Sequence, residues 1–411
     1  MPSRISPSGF KALEDTPLFQ PLRLGHVQLQ HRVVMAPLTR MRAPKESDGV
    51  FVPGDINVQY YSQRASKGGL LLSEACPITA LACGYPGIPG IFTASQIAGW
   101  RRVTDAVHQK GGFIYCQLWH VGRATVPSFL GGETPVSSSD IPLEGNGLDG
   151  SPYAQTPPRP MTVGEIRETT AEFGAAAKRA LQAGFDGVEI HSANGYLLEQ
   201  FLHDNVNKRT DAYGGSVENR CRFTLEVIEA VTAAVGADKV GIRLSPFNYF
   251  QDTRDSDPNA HWAYLCQQIA SLPKAHQLAY VHMVEPRFDE VLDEQAKLDS
   301  LADGAPASGK AVAARPNSLT PFREILAKAD IKFLSAGAFT RDNAAPKLEA
   351  GDTDAVVFGR WFIANPDLPK RLAEGLQLNE YDRNTFYGAD PPEKGYVDYP
   401  AVGAGPDGSG A

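Results

Sequence analysis

Eight short apolar runs, separated by longer amphipathic segments, constrain the fold of this 411-residue chain more than any other feature. They are His31–Pro37, Leu70–Glu74, Gly112–Gln117, Gly187–Ile190, Val240–Leu244, Ala279–Val284, Ile331–Ser335 and Ala355–Phe358. Each is rich in Val, Ile, Leu or Phe with little polar alternation, the composition of strands covered on both faces of a parallel sheet. The intervening segments carry helix starts. Thr93-x-x-Gln96 and Thr162-x-x-Glu165 read as capping boxes, in which two side chains satisfy orphan backbone donors. Phe173, Ala177, Ala180 and Leu181 recur at the helical period, and so do Phe223, Val227, Ile228, Val231 and Val235. Eight strand–helix units predict an α/β fold, a single (β/α)8 TIM barrel over residues 1–400. Two doubly wound domains are the alternative. No linker divides the chain, which favours one barrel.

Three regions depart from the repeat. Residues 1–28 precede the first run and are expected to cap the barrel's amino end. Insertions at 123–160 and 287–317 are too long for plain connections. Such loops are usually lids or binding loops, and 287–317 is expected to form a partial lid. The Gly-rich residues 401–411 read as a flexible tail.

Bulk properties narrow the function. A formal net charge of -8 opposes nucleic acid or an anionic membrane as a partner. No apolar run approaches the roughly 18 residues of a membrane span. No secretory signal is visible, so a cytoplasmic location is expected. The five cysteines (76, 83, 116, 221 and 266) are odd in number and form no C-x-x-C, so they read as reduced thiols. Neither a P-loop, nor H-E-x-x-H, nor G-x-S-x-G occurs, and no metal site is expected. Gly403-x-Gly405-x-x-Gly408 lacks the flanking strand and helix of a dinucleotide fingerprint.

Barrel enzymes keep their chemistry at the carboxyl ends of the strands. Here those ends carry Thr39, Glu74-Ala75, Gln117, His191, Arg243, Gly337 and Gly359-Arg360. Gly337 and Gly359-Arg360 follow the seventh and eighth runs, where barrels commonly bind phosphate: glycine admits backbone N–H groups and arginine neutralises the anion. Arg243, ending VGIRLS, is costly to bury without an anion or polar partner. The richest stretch is Gly184–Phe223. Its strand, Gly187–Ile190, is expected to end just before His191, with Asn194 and Tyr196 close behind. An imidazole, a carboxamide and a phenol together can hold a carbonyl oxygen and supply a proton. His108, His120, His261, His276 and His282 read as structural or surface histidines.

HSANGYLLEQFL (191–202), followed by Asn207, Arg209, Thr210, Asp211, Tyr213-Gly214-Gly215-Ser216 and Glu218-Asn219-Arg220, resembles the signature of the old yellow enzymes. These are flavin-dependent ene-reductases that include the 12-oxophytodienoate reductases. The resemblance extends to MAPLTR (35–40), Gln117-Leu118-Trp119, GIRLSP (241–246), VEPR (284–287), SAGAFT (335–340), GRWFIANPDLPKRL (359–372), NTFY (384–387) and GYVDYP (395–400). It implies non-covalent FMN, held by Pro37, Thr39, Ala75, Gln117, Arg243, Gly337, Ala338, Gly359 and Arg360. Ala75 and Ala338 stand where the family varies, and Asn194 groups the chain with His-Asn rather than His-His members.

The implied activity is reduction of the C=C bond of α,β-unsaturated carbonyl compounds. NADPH would reduce the flavin and leave before the activated alkene enters the same pocket. His191 and Asn194 would hydrogen-bond the carbonyl oxygen, and Tyr196 would protonate the α-carbon. Trp119, Phe386 and Tyr387 would line the substrate side with them. A monomer or homodimer is expected. Two rivals stand: a flavin barrel acting as an isomerase or on an atypical, specialised metabolite, against which Tyr196 argues, and a non-redox phosphate-binding barrel. An aldolase of the latter kind would want a strand-end lysine, and these ends carry none.

Overall fold

The structure, a computed structural model, describes residues 9–288 and 317–403. A short antiparallel hairpin comes first, β1 (Leu22–Leu24) and β2 (Val27–Leu29). Eight strands then close into a barrel: β3 (Val33–Met35), β4 (Leu70–Pro77), β5 (Phe113–Trp119), β6 (Gly187–Ser192), β7 (Val240–Leu244), β8 (Tyr280–Val284), β9 (Lys332–Ala336) and β10 (Ala355–Phe358). Every neighbouring pair is parallel, and β10 returns to β3 through Val357 opposite Val34. The eight apolar runs are these strands, so the expected barrel is the observed one.

Their ends differ in instructive ways. β6 continues through His191 and Ser192, which pair with Arg243 and Leu244 of β7. His191 therefore stands on the strand, not past its end as its polarity suggested. β4 runs on to Pro77 after a register shift between Leu72 and Ala75. β3 is shorter than its apolar run. Proline has no N–H to continue a ladder at Pro37, and the His31 ring is engaged locally, accepting the Val33 N–H.

The main helices are α1 (Asp55–Arg64), α2 (Ala94–Gln109), α3 (Val163–Gln182), α4 (Leu197–Leu202), α5 (Val217–Val235), α6 (Pro258–Ala270), α7 (Thr320–Ala327) and α8 (Arg341–Glu349). Two short ones follow, α9 (Arg360–Ala364) and α10 (Leu368–Glu374). Both capping boxes form. At α3 the Glu165 carboxylate takes the Thr162 N–H at 2.7 Å and is forked by Arg159 at 2.8 and 2.7 Å. Among the described residues no helix is long and apolar enough to cross a membrane.

Strand parity divides the core in two. Val188, Ile190, Ile242 and Phe333 face outward into one continuous cluster with Phe173, Val227 and Ile228 of the helices. Each such side chain, fully buried, contributes about 1.5–3 kcal/mol. The alternate residues fill the barrel. Its lower half is aromatic: the Tyr115 and Tyr280 ring centroids lie 6.1 Å apart. Each ring lies beside a glycine of the neighbouring strand. A Cβ at Gly241 would come within 2.2 Å of the Tyr280 ring, and one at Gly187 within 2.5 Å of the Tyr115 ring.

The hairpin seals this lower end. Leu22, Leu24, Val27 and Leu29 join the interior cluster of Val34 and Leu72. The His26 N–H bonds the Asp238 carbonyl at 3.3 Å, and its ring stacks with Tyr115. The amino-end cap expected of residues 1–28 is present in its described part. The 123–160 insertion is tied down: Arg123 N–H donates to Gln200 Oε1 at 3.1 Å, and Ser138 Oγ to the Gln200 carbonyl at 2.7 Å. The lid expected at 287–317 falls on residues outside the described set except at its ends, and the tail at 401–411 is described only to 403. All five cysteines are buried and free, and burial raises the Cys83 thiol to about 11.

Candidate active site

The upper half of the barrel interior is polar, and the same parity produces it. Glu189 of β6 is fully buried. It accepts from Gln117 Nε2 at 2.8 Å and Tyr280 OH at 3.2 Å, and lies 2.9 Å from His282 Nδ1. Burial alone would raise its pKa. The attraction of His282 and Arg243 and the Gln117 hydrogen bond outweigh it, so the carboxylate is held below its ordinary range. Burial lowers the His282 imidazole against the pull of Glu189. The floor is thus a buried carboxylate–imidazole pair, Glu189 and His282, with the Arg243 charge beside both.

His191 stands one step above Glu189 on the same face of β6, in register with Arg243. Burial, then Arg243 and His282, push its pKa well below the ordinary value. It is a neutral imidazole at pH 7, with one N–H to give and no spare proton. Its Nδ1 is buried without a protein partner.

Asn194 follows in a left-handed conformation, φ 56°. Two buried side chains hold it there. The Asn194 N–H donates to Ser245 Oγ at 2.8 Å, and Ser245 Oγ donates to Glu199 Oε1 at 2.5 Å. Glu199 Oε2 also accepts the Gly195 N–H at 2.5 Å. The turn leads to Tyr196, the residue before α4. Its ring meets His191 edge-on at 5.1 Å and Trp119 edge-on at 5.0 Å. His191, Asn194, Tyr196 and Trp119 are therefore gathered at one mouth, with Ala75 in the same apolar cluster as Trp119.

Two neighbours carried no signal in the sequence. Tyr85 packs 5.8 Å from Trp119 and donates to the Ala124 carbonyl at 2.6 Å. Burial, then the phenols of Tyr196 and Tyr153, raise its pKa well above the ordinary value. It lies in a loop with turn chemistry and no motif. Glu189 is the other: in the sequence it is one polar residue inside an apolar run. His282, read as structural or surface, is buried directly beneath the site.

The phosphate-type ends of β9 and β10 meet on the opposite side. Gly337 has φ 116°, and a Cβ there would lie 2.8 Å from Phe288 Cβ. Its carbonyl accepts from Arg287 Nη2 at 3.2 Å. The Arg360 guanidinium sits 5.1 Å over the Phe288 ring. Gly337 and Arg360 thus converge, with Ala338 beside them at φ 50° and Gly359 leading into α9. Pro37 is buried and Thr39 half-buried just beyond β3. Glu74 is turned away from the mouth: Tyr61 OH of α1 reaches it at 3.4 Å, and burial raises it to about 7 against Arg40 and Tyr61. Phe386 packs on Tyr381, which packs on Trp361 next to Arg360. Tyr387 is exposed and close enough to act electrostatically on Tyr85.

The residues present fit a phosphate-bearing flavin. A cation and a glycine that tolerates no Cβ lie at one end. Buried polar atoms without protein partners, His191 Nδ1 and Trp119 Nε1, lie at the other.

Comparisons with known proteins agree with this geometry. Residues 17–379 match the profile of the NADH:flavin oxidoreductase / NADH oxidase family. The flavin oxidoreductase hxnT of Emericella nidulans is 65% identical over 384 residues, covering 93% of this chain and 97% of that protein. The 12-oxophytodienoate reductase 2 of Arabidopsis thaliana is 43% identical over 397 residues, covering 95% and 97%. Among solved structures, morphinone reductase superposes with a TM-score of 0.80 at 40% identity, covering 94% of this chain and 97% of that one. The same enzyme in complex with tetrahydroNAD gives 0.78 at 41%, with the same coverage.

Proposed function

Because this chain belongs to the NADH:flavin oxidoreductase / NADH oxidase family, the family of the old yellow enzymes, we propose that it is an FMN-dependent ene-reductase acting on α,β-unsaturated carbonyl compounds. One observation carries the reading. A neutral His191 and the turn-locked Asn194 flank a phenol, Tyr196, that packs edge-on against both His191 and Trp119. This supplies two donors for an oxygen and one acid for a carbon in a single pocket.

Pro37, Thr39, Ala75, Gln117 and Arg243 would hold the ring system of FMN. Gly337, Ala338, Gly359 and Arg360 would hold its phosphate. Bound there, FMN supplies the hydride that the alkene's β-carbon accepts. Everything else falls to side chains. His191 and Asn194 donate to the carbonyl oxygen, where negative charge grows as the β-carbon is reduced. His191 is neutral, so it donates a hydrogen bond without surrendering a proton. Removing one such donor typically costs about 2.7–4 kcal/mol of transition-state stabilisation. Tyr196 delivers its proton to the α-carbon, a role worth about 10²–10⁴-fold in rate. Glu189 fixes the Gln117 amide and balances the Arg243 charge, which keeps both available to a ligand above them. NADPH is the proposed reductant. Morphinone reductase, a structural relative, is known in complex with tetrahydroNAD, which supports a nicotinamide reductant here.

The test separates the half-reactions. The purified protein should absorb as an oxidised flavin and be bleached anaerobically by NADPH. Tyr196→Phe should leave that bleaching intact and slow reoxidation by 2-cyclohexenone by about 10²-fold or more. Equal slowing of both halves would remove Tyr196 from the acid role. A colourless protein unmoved by added FMN would end the proposal.

A further inference from the structure

The loop after β7 closes over the Asn194 turn, and one residue in it has no assigned task. Asn248 is buried, 2% exposed. Its Nδ2 donates to Asn194 Oδ1 at 3.0 Å, and its Oδ1 accepts the Phe250 N–H at 3.2 Å. A backbone N–H can only donate. It therefore decides which end of the Asn248 amide is oxygen, and Asn248 in turn decides the sense of Asn194. Turning Asn194 alone would set two NH2 groups against each other. Turning both would set the Asn248 NH2 against the Phe250 N–H. Only one sense closes the chain, and it directs the Asn194 NH2 away from Asn248.

The loop that carries this chain is itself fixed. A Cβ at Gly195 would lie 2.8 Å from the Phe250 carbonyl and 2.6 Å from Gln251 Cβ, so the two segments are in contact. Arg123 Nη2 donates to the Gln251 carbonyl at 2.9 Å, Asn205 Nδ2 to the Asp252 carbonyl at 2.7 Å, and Thr253 Oγ1 to the Phe250 carbonyl at 3.0 Å. Gln251 and Asp252 are both held at positive φ, 61° and 54°. The Phe250 N–H is thus a rigid reference for the two amides.

We propose that Asn248 is a positioning residue that locks Asn194 as a hydrogen-bond donor through a one-way amide chain anchored on the Phe250 N–H. The pocket then selects ligands by an acceptor atom, a carbonyl, nitro or enolate oxygen, and rejects a group that can only donate at that point, such as an ammonium N–H. This rests on the reading of His191 and Asn194 as the oxygen-binding pair. It adds the residue that determines which end of Asn194 the ligand meets.

Asn248→Asp is the discriminating variant. It is isosteric and keeps an acceptor for the Phe250 N–H. It also presents an acceptor to Asn194, whose NH2 must turn toward it and leave oxygen facing the pocket. The probe is 4-hydroxybenzaldehyde, whose phenolate oxygen carries the charge an enolate would. Its dissociation constant is read by calorimetry in a double-mutant cycle with Asn194→Ala. Expected is a loss of about tenfold or more for Asn248→Asp beside Asn194, and less than about twofold in the Asn194→Ala background. The same loss in both backgrounds would be a charge effect and would overturn the proposal, as would no loss in either. Should the wild type bind no phenolate, the ene-reductase reading falls, and the chain is decided separately. The Asn194 side-chain ¹⁵N–¹H signals, assigned through Asn194→Ala, must shift on Asn248→Asp. Unmoved signals overturn it.

Discussion

Glu189 and Glu74 are both fully buried carboxylates, yet their surroundings drive them in opposite directions. Around Glu189, His282, Arg243 and Gln117 outweigh desolvation. Around Glu74, desolvation wins over Arg40 and Tyr61, and the pKa rises from 4.5 to about 7. A raised carboxyl means that the folded state binds more protons than the unfolded one. Its contribution to stability is complete below about pH 4.5 and is lost as the pH rises through about 7. Glu74→Gln cannot titrate, so between pH 5 and 8 it should gain on the wild type by on the order of 3 kcal/mol, at about 1.4 kcal/mol per unit. Urea unfolding of both proteins at the two pH values measures the gap; parallel curves would show that Glu74 titrates normally. At this scale the sequence disclosed His191, Asn194 and Tyr196 because they crowd into six consecutive positions. It did not disclose Glu189, Tyr85 or Asn248. Each acts through a partner tens of residues away, such as the 93 positions between Glu189 and His282, and a linear pattern holds no trace of such pairings.

Strands and helices were more legible than their limits. Apolar runs mark eight strands because both faces of a barrel sheet are covered. The polar inner face of β6 shows how that rule ends at the site. Whether His191 belongs to the strand depends on Arg243 being its register neighbour, which is a property of two segments and not of either one. The hairpin offers a sharp test of an element's worth. Gly25 has φ 55°, and a Cβ on it would fall 1.9 Å from the Asp238 carbonyl oxygen, a backbone atom with little room to yield. Gly25→Ala should lift the hairpin from the barrel floor and destabilise the protein by about 2 kcal/mol or more. A thermal midpoint within a degree or two of wild type would mean the hairpin contributes little. A milder change checks the helices. Thr162→Ala removes the acceptor at the start of α3 and should cost about 1 kcal/mol in urea unfolding. No measurable change would show that Glu165 and Arg159 carry the cap alone.

For the whole barrel, the division into an aromatic lower half and a polar mouth predicts how ligand and stability are linked. A ligand that binds only the folded state stabilises it by about 2.7 kcal/mol when present at 100 times its dissociation constant. Flavin-stripped protein should therefore melt higher with FMN than with riboflavin at equal concentration, because only FMN carries the phosphate proposed for Gly337 and Arg360. Equal shifts would remove the phosphate role from those two ends. The seal at the opposite end carries a consequence for biosynthesis. The hairpin leaves the ribosome well before the backbone carbonyl that receives His26, which belongs to Asp238, 212 positions later. Its socket also needs Ala279 and Tyr280, later still. A nascent chain must carry the leucine-bearing hairpin unplaced until Tyr280 has been made, so a segment synthesised well before its socket docks only after the socket is complete.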